Sequence, residues 1–171
     1  MLHQPLRRGP DSVRYRLSGS VPPLDETLIE LGGRLAYRLV RDGAGPAAAL
    51  VLVDPASLEL LRIEAPALRL RDSLSVLSGS QTLAVIRRVL EPPFREEFRV
   101  DGPGDHVWHA TGRIAACDYC VREGGETVAR VKTASTGTDR VFDVVVQTTV
   151  DAALILIVVV AINKLAGPRA D

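Results

Sequence analysis

From residue 13 to about residue 148 the chain keeps one rhythm, in which apolar stretches of roughly five to nine residues are broken by Gly, Pro, Asp or Ser pairs. That rhythm is the signature of consecutive β-hairpins. It predicts strands over residues 13–18, 27–40, 47–53, 58–65, 67–77, 82–90, 96–101, 106–114, 117–123, 126–133 and 139–148. Where alternation is clean it also names the buried face. Phe98 and Val100 lie on one side of their strand, and Trp108, Ala110 and Ile114 on one side of theirs. Tyr119 and Val121, then Ala129 and Val131, then Phe142, Val144 and Val146 continue the pattern. The opposite positions, Arg99, His109, Arg113, Asp118, Arg122, Arg130, Asp143 and Gln147, are polar. One face is core and the other meets water.

After Thr149 the rhythm breaks. Asp151 is positioned as an N-cap, Ala152 to Ile162 is uninterrupted apolar sequence, and Asn163, Lys164 and Gly167 followed by Pro168 end it. The result is a helix over 151–165 that is apolar on every side, with Leu154, Ile155, Leu156 and Val159 among its structural positions. Such a helix must be surrounded by protein or by lipid. A membrane span needs about twenty apolar residues, and this run is about half that length. Extending it back to Val144 would take in Gln147, Thr148, Thr149 and Asp151, and an aspartate in mid-bilayer is costly. The expected fold is therefore mainly β: a closed antiparallel β-barrel enclosing the C-terminal hydrophobic helix. Closure also removes the exposed edges that so many strands would leave. A tail-anchored membrane protein is the alternative that this run keeps open.

Residues 1–12 mix Pro, Gly, Arg and Ser without periodicity and read as a disordered arm. The domain is set at 13–165, with 166–171 as a tail. At 171 residues, 46% hydrophobic and 25% charged, the chain has the size and balance of one folded domain. Twenty-one basic residues offset twenty-one acidic ones, so no strongly basic face points to nucleic acid. Two cysteines are too few for a disulfide scaffold, and the first residues lack the apolar stretch of a secretory signal. Both features favour a reducing, cytoplasmic setting.

The ending Thr148-Thr149-Val150-Asp151-Ala-Ala-Leu154-Ile-Leu-Ile-Val-Val-Val-Ala-Ile162 follows repeated aromatic-x-Val hairpins such as Phe98-Arg-Val100 and Tyr119-Cys-Val121. In this the chain resembles the LURP-one-related family of the tubby C-terminal-like superfamily, which includes the phospholipid scramblases. The likeness spans residues 13–165, and its most specific piece is the Asp-Ala-x-x-Leu-Ile-Leu start of the terminal helix. It implies a barrel of about twelve strands around a central hydrophobic helix. Eleven strands are predicted, and the segment 27–40, split at Gly32-Gly33, supplies the twelfth. The resemblance also implies membrane association, since tubby proteins bind phosphoinositides.

Candidate chemistry is sparse. Cys117 and Cys120, preceded by His106 and His109, are metal-ligand types, but a separation of three on a strand puts each pair on opposite faces. Cys117 reads as core and the histidines as polar surface. No phosphate loop, dinucleotide fingerprint, His-Glu-x-x-His or Gly-x-Ser-x-Gly elbow occurs. Neither catalytic residues nor a cofactor or metal is expected. The resemblance to scramblases raises calcium, but Asp139, Asp143 and Asp151 are too widely spaced for a calcium loop. Arg69, Arg71, Arg87 and Arg88 form the candidate site: Ser78-Gly79-Ser80 would fold their strands together, and like charges across a ladder need an anion or an acid between them. A lipid phosphate is one such anion, and Glu91 or Glu59 the acidic alternative. The expected function is a non-enzymatic peripheral binder of anionic phospholipid, with a protein-interaction scaffold as the alternative.

Overall fold

In the computed structural model, residues 11–19, 26–45, 48–65, 72–91, 95–134 and 140–167 are described. The strands are β1 Ser12–Gly19, β2 Glu26–Leu31, β3 Arg34–Asp42, β4 Ala49–Val53, β5 Glu59–Glu64 and β6 Ser73–Ser78. They continue as β7 Gln81–Glu91, β8 Arg95–Asp101, β9 Val107–Arg113, β10 Asp118–Glu123, β11 Glu126–Thr133 and β12 Arg140–Gln147. Each pairs antiparallel with its neighbour in sequence, and β1 closes on β12, with Val13 opposite Val146 and Leu17 opposite Phe142. The barrel therefore leaves no free edge. The 27–40 segment does divide at Gly32-Gly33, both left-handed at φ +59° and +77°, which is the backbone a two-residue hairpin turn requires.

The helix α1, Ala152–Ala166, runs through the interior. Asp151 caps it, its side chain accepting from the Leu154 backbone N–H at 3.0 Å. All nine residues from Leu154 to Ile162 are buried. The physical reason is width. Eight strands leave an interior that side chains alone can fill, and twelve leave a wider bore that needs a further element. An all-apolar helix fills it, against Leu17, Ile29, Leu39, Leu52, Ile63, Val76, Ile86 and Phe98 from the wall. The tail-anchor alternative is thereby corrected: α1 is covered by protein, and no described helix is long and apolar enough to cross a membrane.

The predicted inward positions are buried, except that Phe142 is only partly so. Ile114 is buried from a 3-10 turn, Ile114–Ala116, and not from a strand. Between β9 and β10 the backbones approach closely at Gly112. A Cβ there would come within 2.8 Å of the Tyr119 Cα, and φ is +135°, so only glycine fits.

Candidate functional site

The helix positions named from the sequence are all interior: Leu154, Ile155, Leu156 and Val159 are buried, with Asp151 at the cap. They are structural, and they occupy the lumen.

Of the four candidate arginines, Arg87 and Arg88 fall among the described residues. Arg69 and Arg71 lie outside the described residues. Arg87 and Arg88 are consecutive on β7 and point to opposite sides. Ile86 faces the core, so Arg88, two residues on, also turns inward. Its side chain is only 9% exposed. It donates to the Leu165 carbonyl at the end of α1, pairs with Glu96 at 3.1 Å and Asp72 at 3.9 Å, and lies over the Phe98 ring. A cation at a helix C-terminus also complements the helix dipole. Arg88 thus fastens the helix to the wall.

Arg87 faces solvent, and its cross-strand neighbour is Arg99 on β8. Asp101 lies between them, 3.2 Å from Arg87 and 2.9 Å from Arg99. This like-charge pair lies across β7 and β8, a different ladder from the one expected across Ser78-Gly79-Ser80, where Arg87 stands opposite Ser73; Asp101 is its intervening acid. Glu59 pairs instead with Arg62 at 3.0 Å, and the Glu91 side chain lies outside the described residues. Sequence reasoning missed Arg99 because it paired β7 with the strand before it and not with β8. The signal was there: Phe98 and Val100 already placed Arg99 outside.

The LURP-one-related family matches the chain over residues 29–163. The chain belongs to the LURP-one-related family. Among solved structures, it is similar to a protein from Arabidopsis thaliana determined by X-ray crystallography, at 16% identity with a TM-score of 0.67, covering 90% of this chain and 91% of that one. At that identity the likeness shows the fold. No curated protein matches.

Elsewhere on this LURP-one-related barrel the outer surface carries further ion pairs. Arg16 meets Asp143 at 2.9 Å, and Arg113 meets Asp118, whose carboxyl is held below its usual range by that hydrogen bond. Arg62 meets Asp42, Glu59 and Glu64. Of the three aspartates weighed for calcium, Asp143 serves Arg16, Asp151 caps the helix, and Asp139 lies outside the described residues. His106 contacts Glu123 and His109 contacts Glu97 at 2.6 Å. The His106 hydrogen bond holds the Glu123 carboxyl below its usual range. Cys117 is buried, Cys120 is half-buried, and no disulfide joins them.

Every exposed large apolar side chain among the described residues, Leu28, Leu31, Leu35 and Leu58, belongs to β2, β3 or the turn between β4 and β5. That turn is stiff. Ser57 is left-handed at φ +66°, Leu58 N–H donates to Asp54 Oδ1 at 2.9 Å, and Arg38 donates to Ser57 Oγ at 2.6 Å. The sequence reading did not single out these leucines. Outward leucines are ordinary in a strand pattern, and which of them lie on adjacent elements depends on the strand pairing.

Proposed function

We propose that this LURP-one-related barrel is a non-enzymatic module that binds anionic phospholipid peripherally, from the cytoplasmic side of a membrane. The observation that carries this reading is the exposed pair Arg87 and Arg99, side by side across β7 and β8 and sharing the single carboxylate of Asp101. Two guanidiniums with one acid retain positive charge and free N–H donors toward solvent, the chemistry a phosphate oxygen accepts. The lumen filled by Leu154 to Ile162 supports the non-enzymatic part, because a substrate cavity would have to occupy the same space.

Co-sedimentation of the full chain with vesicles tests it. Recovery should be greater with phosphatidylserine-containing vesicles than with phosphatidylcholine alone, and added salt should weaken it. Replacing Arg87 and Arg99 by Gln should remove the difference. Equal recovery with both vesicle types would reject the lipid reading. The second reading, a protein-interaction scaffold, is favoured by the exposed Leu28, Leu31, Leu35 and Leu58 on β2, β3 and the turn between β4 and β5. It predicts no lipid preference, and loss of a protein partner on Leu31→Ser with Leu58→Ser.

A further inference from the structure

Strand register extends the Arg87–Arg99 pair into a longer row. Arg99 is opposite His109 on β9, and His109 is opposite Arg122 on β10. Arg87, Arg99, His109 and Arg122 therefore stand in one line across four adjacent strands, with the buried Ile86, Phe98, Val100, Trp108, Ala110 and Val121 beside them fixing all four outward. Strands lie about 5 Å apart, so the row is about 14 Å long.

The acids on this face are placed beside the histidines. His109, 45% exposed, lies 2.6 Å from Glu97, and His106, 60% exposed, contacts Glu123 while its ring stacks on Trp108. From β8, His109 is faced by Glu97, Arg99 and Asp101; from β10, by Arg122 and Cys120. His106 has Asp105 next to it in the turn and Glu123 across from it on β10. The pair Arg113 with Asp118 at the far end of β9 is internally neutral. With neutral imidazoles, Glu97, Glu123 and Asp105 stand against Arg122 at the histidine end of the row, while Arg87 and Arg99 share Asp101 at the other. Each His–Glu pair then carries one negative charge, and protonation cancels it.

We propose that His109 and His106 make this row a proton-gated site for an anionic membrane surface: protonation of both imidazoles adds two positive charges to the face that carries the Arg87–Arg99 pair. The proposal rests on the lipid reading above and adds its regulation. Imidazole is the side chain whose charge ordinarily changes between pH 5 and 8. With the proton on Nδ1, each imidazole donates to Glu97 or Glu123 in either charge state, so the gate acts through charge and needs no rearrangement of the barrel.

The experiment measures partition of the full chain onto phosphatidylcholine vesicles with and without phosphatidylserine, at pH 7.5 and 5.5 and constant ionic strength. Thermal unfolding is recorded for every variant at both pH values. Partition onto the anionic vesicles should rise on the order of tenfold or more at pH 5.5, as expected for two added charges at an anionic surface. His106→Gln with His109→Gln should flatten that rise without lowering the melting temperature appreciably. His109→Arg, which fixes one added charge, should strengthen binding at pH 7.5. Anionic binding that does not change with pH, or a rise that the double variant keeps, would overturn the gate and leave the lipid reading standing. Absence of binding at both pH values would overturn both.

Discussion

Tyr119, on the barrel wall, donates its hydroxyl to Asn163 Oδ1 of the enclosed helix at 2.8 Å, across 44 residues of sequence. The phenol is fully inside, and its second contact is the Val159 carbonyl at 3.4 Å. Tyr119→Phe keeps the ring and strips the donor from Asn163. It should lower stability by about 1–3 kcal/mol, the cost of a buried polar group losing its partner. Chemical denaturation reads this directly, and an unchanged midpoint would show that the bond contributes nothing.

Burial pushes the Tyr119 phenol well above its ordinary value, and burial first, with Asp151 nearby, raises Tyr15 and Tyr37 as well. The folded state therefore favours neutral phenols. Unfolded tyrosines ionise near pH 10, so this contribution to stability is fully present below about pH 10 and is lost as pH rises through the higher folded values. Tyrosinate absorbance should develop together with loss of tertiary circular dichroism, and later than in a tyrosine model compound. Ordinary ionisation of Tyr119 in a still-folded chain would contradict the enclosed position.

The helix is the interior. Truncation after Thr149 removes Leu154 to Ile162 from a closed twelve-strand wall and should leave an insoluble or molten chain. Leu156, completely buried, offers the point test. Leu156→Asp adds several kcal/mol of desolvation cost to the lost packing, against a total stability of roughly 5–15 kcal/mol. A soluble 1–149 fragment with cooperative unfolding would be incompatible with the enclosed helix.

The consecutive arginines should behave oppositely. Arg88→Met leaves Glu96 and the Leu165 carbonyl without their cation inside the barrel mouth, and should cost about 3 kcal/mol. Arg87→Gln removes only an exposed pairing with Asp101 and should change stability by less than about 1 kcal/mol. Comparing the two unfolding curves checks the assignment, and equal losses would mean that Arg88 does not fasten the helix.

Much of this was legible before the fold. Period-two alternation marked Phe98, Val100, Trp108, Tyr119, Val144 and Val146 as interior, and all are buried. Gly32-Gly33 divided one long apolar segment into β2 and β3. The Asp151 cap and the unbroken apolar run after it specified α1. The candidate site was far less legible. The sequence suggested that clustered arginines share a face, yet Arg88 turns inward to a helix end 77 residues away and Arg87 joins Arg99 instead.

The division follows from the range of the interactions. Strand faces, turns, the helix and its cap are decided by contacts within a few residues, so the chain's own order contains them, and an all-apolar helix already demands enclosure. The line of Arg87, Arg99, His109 and Arg122 depends on register accumulated through three successive hairpins, where a one-residue slip would send a side chain to the opposite face. The grip of Arg88 on Leu165 depends on where the helix stops inside the closed barrel. Both are set by the closure of twelve strands around one helix, and that geometry exists only in the tertiary structure.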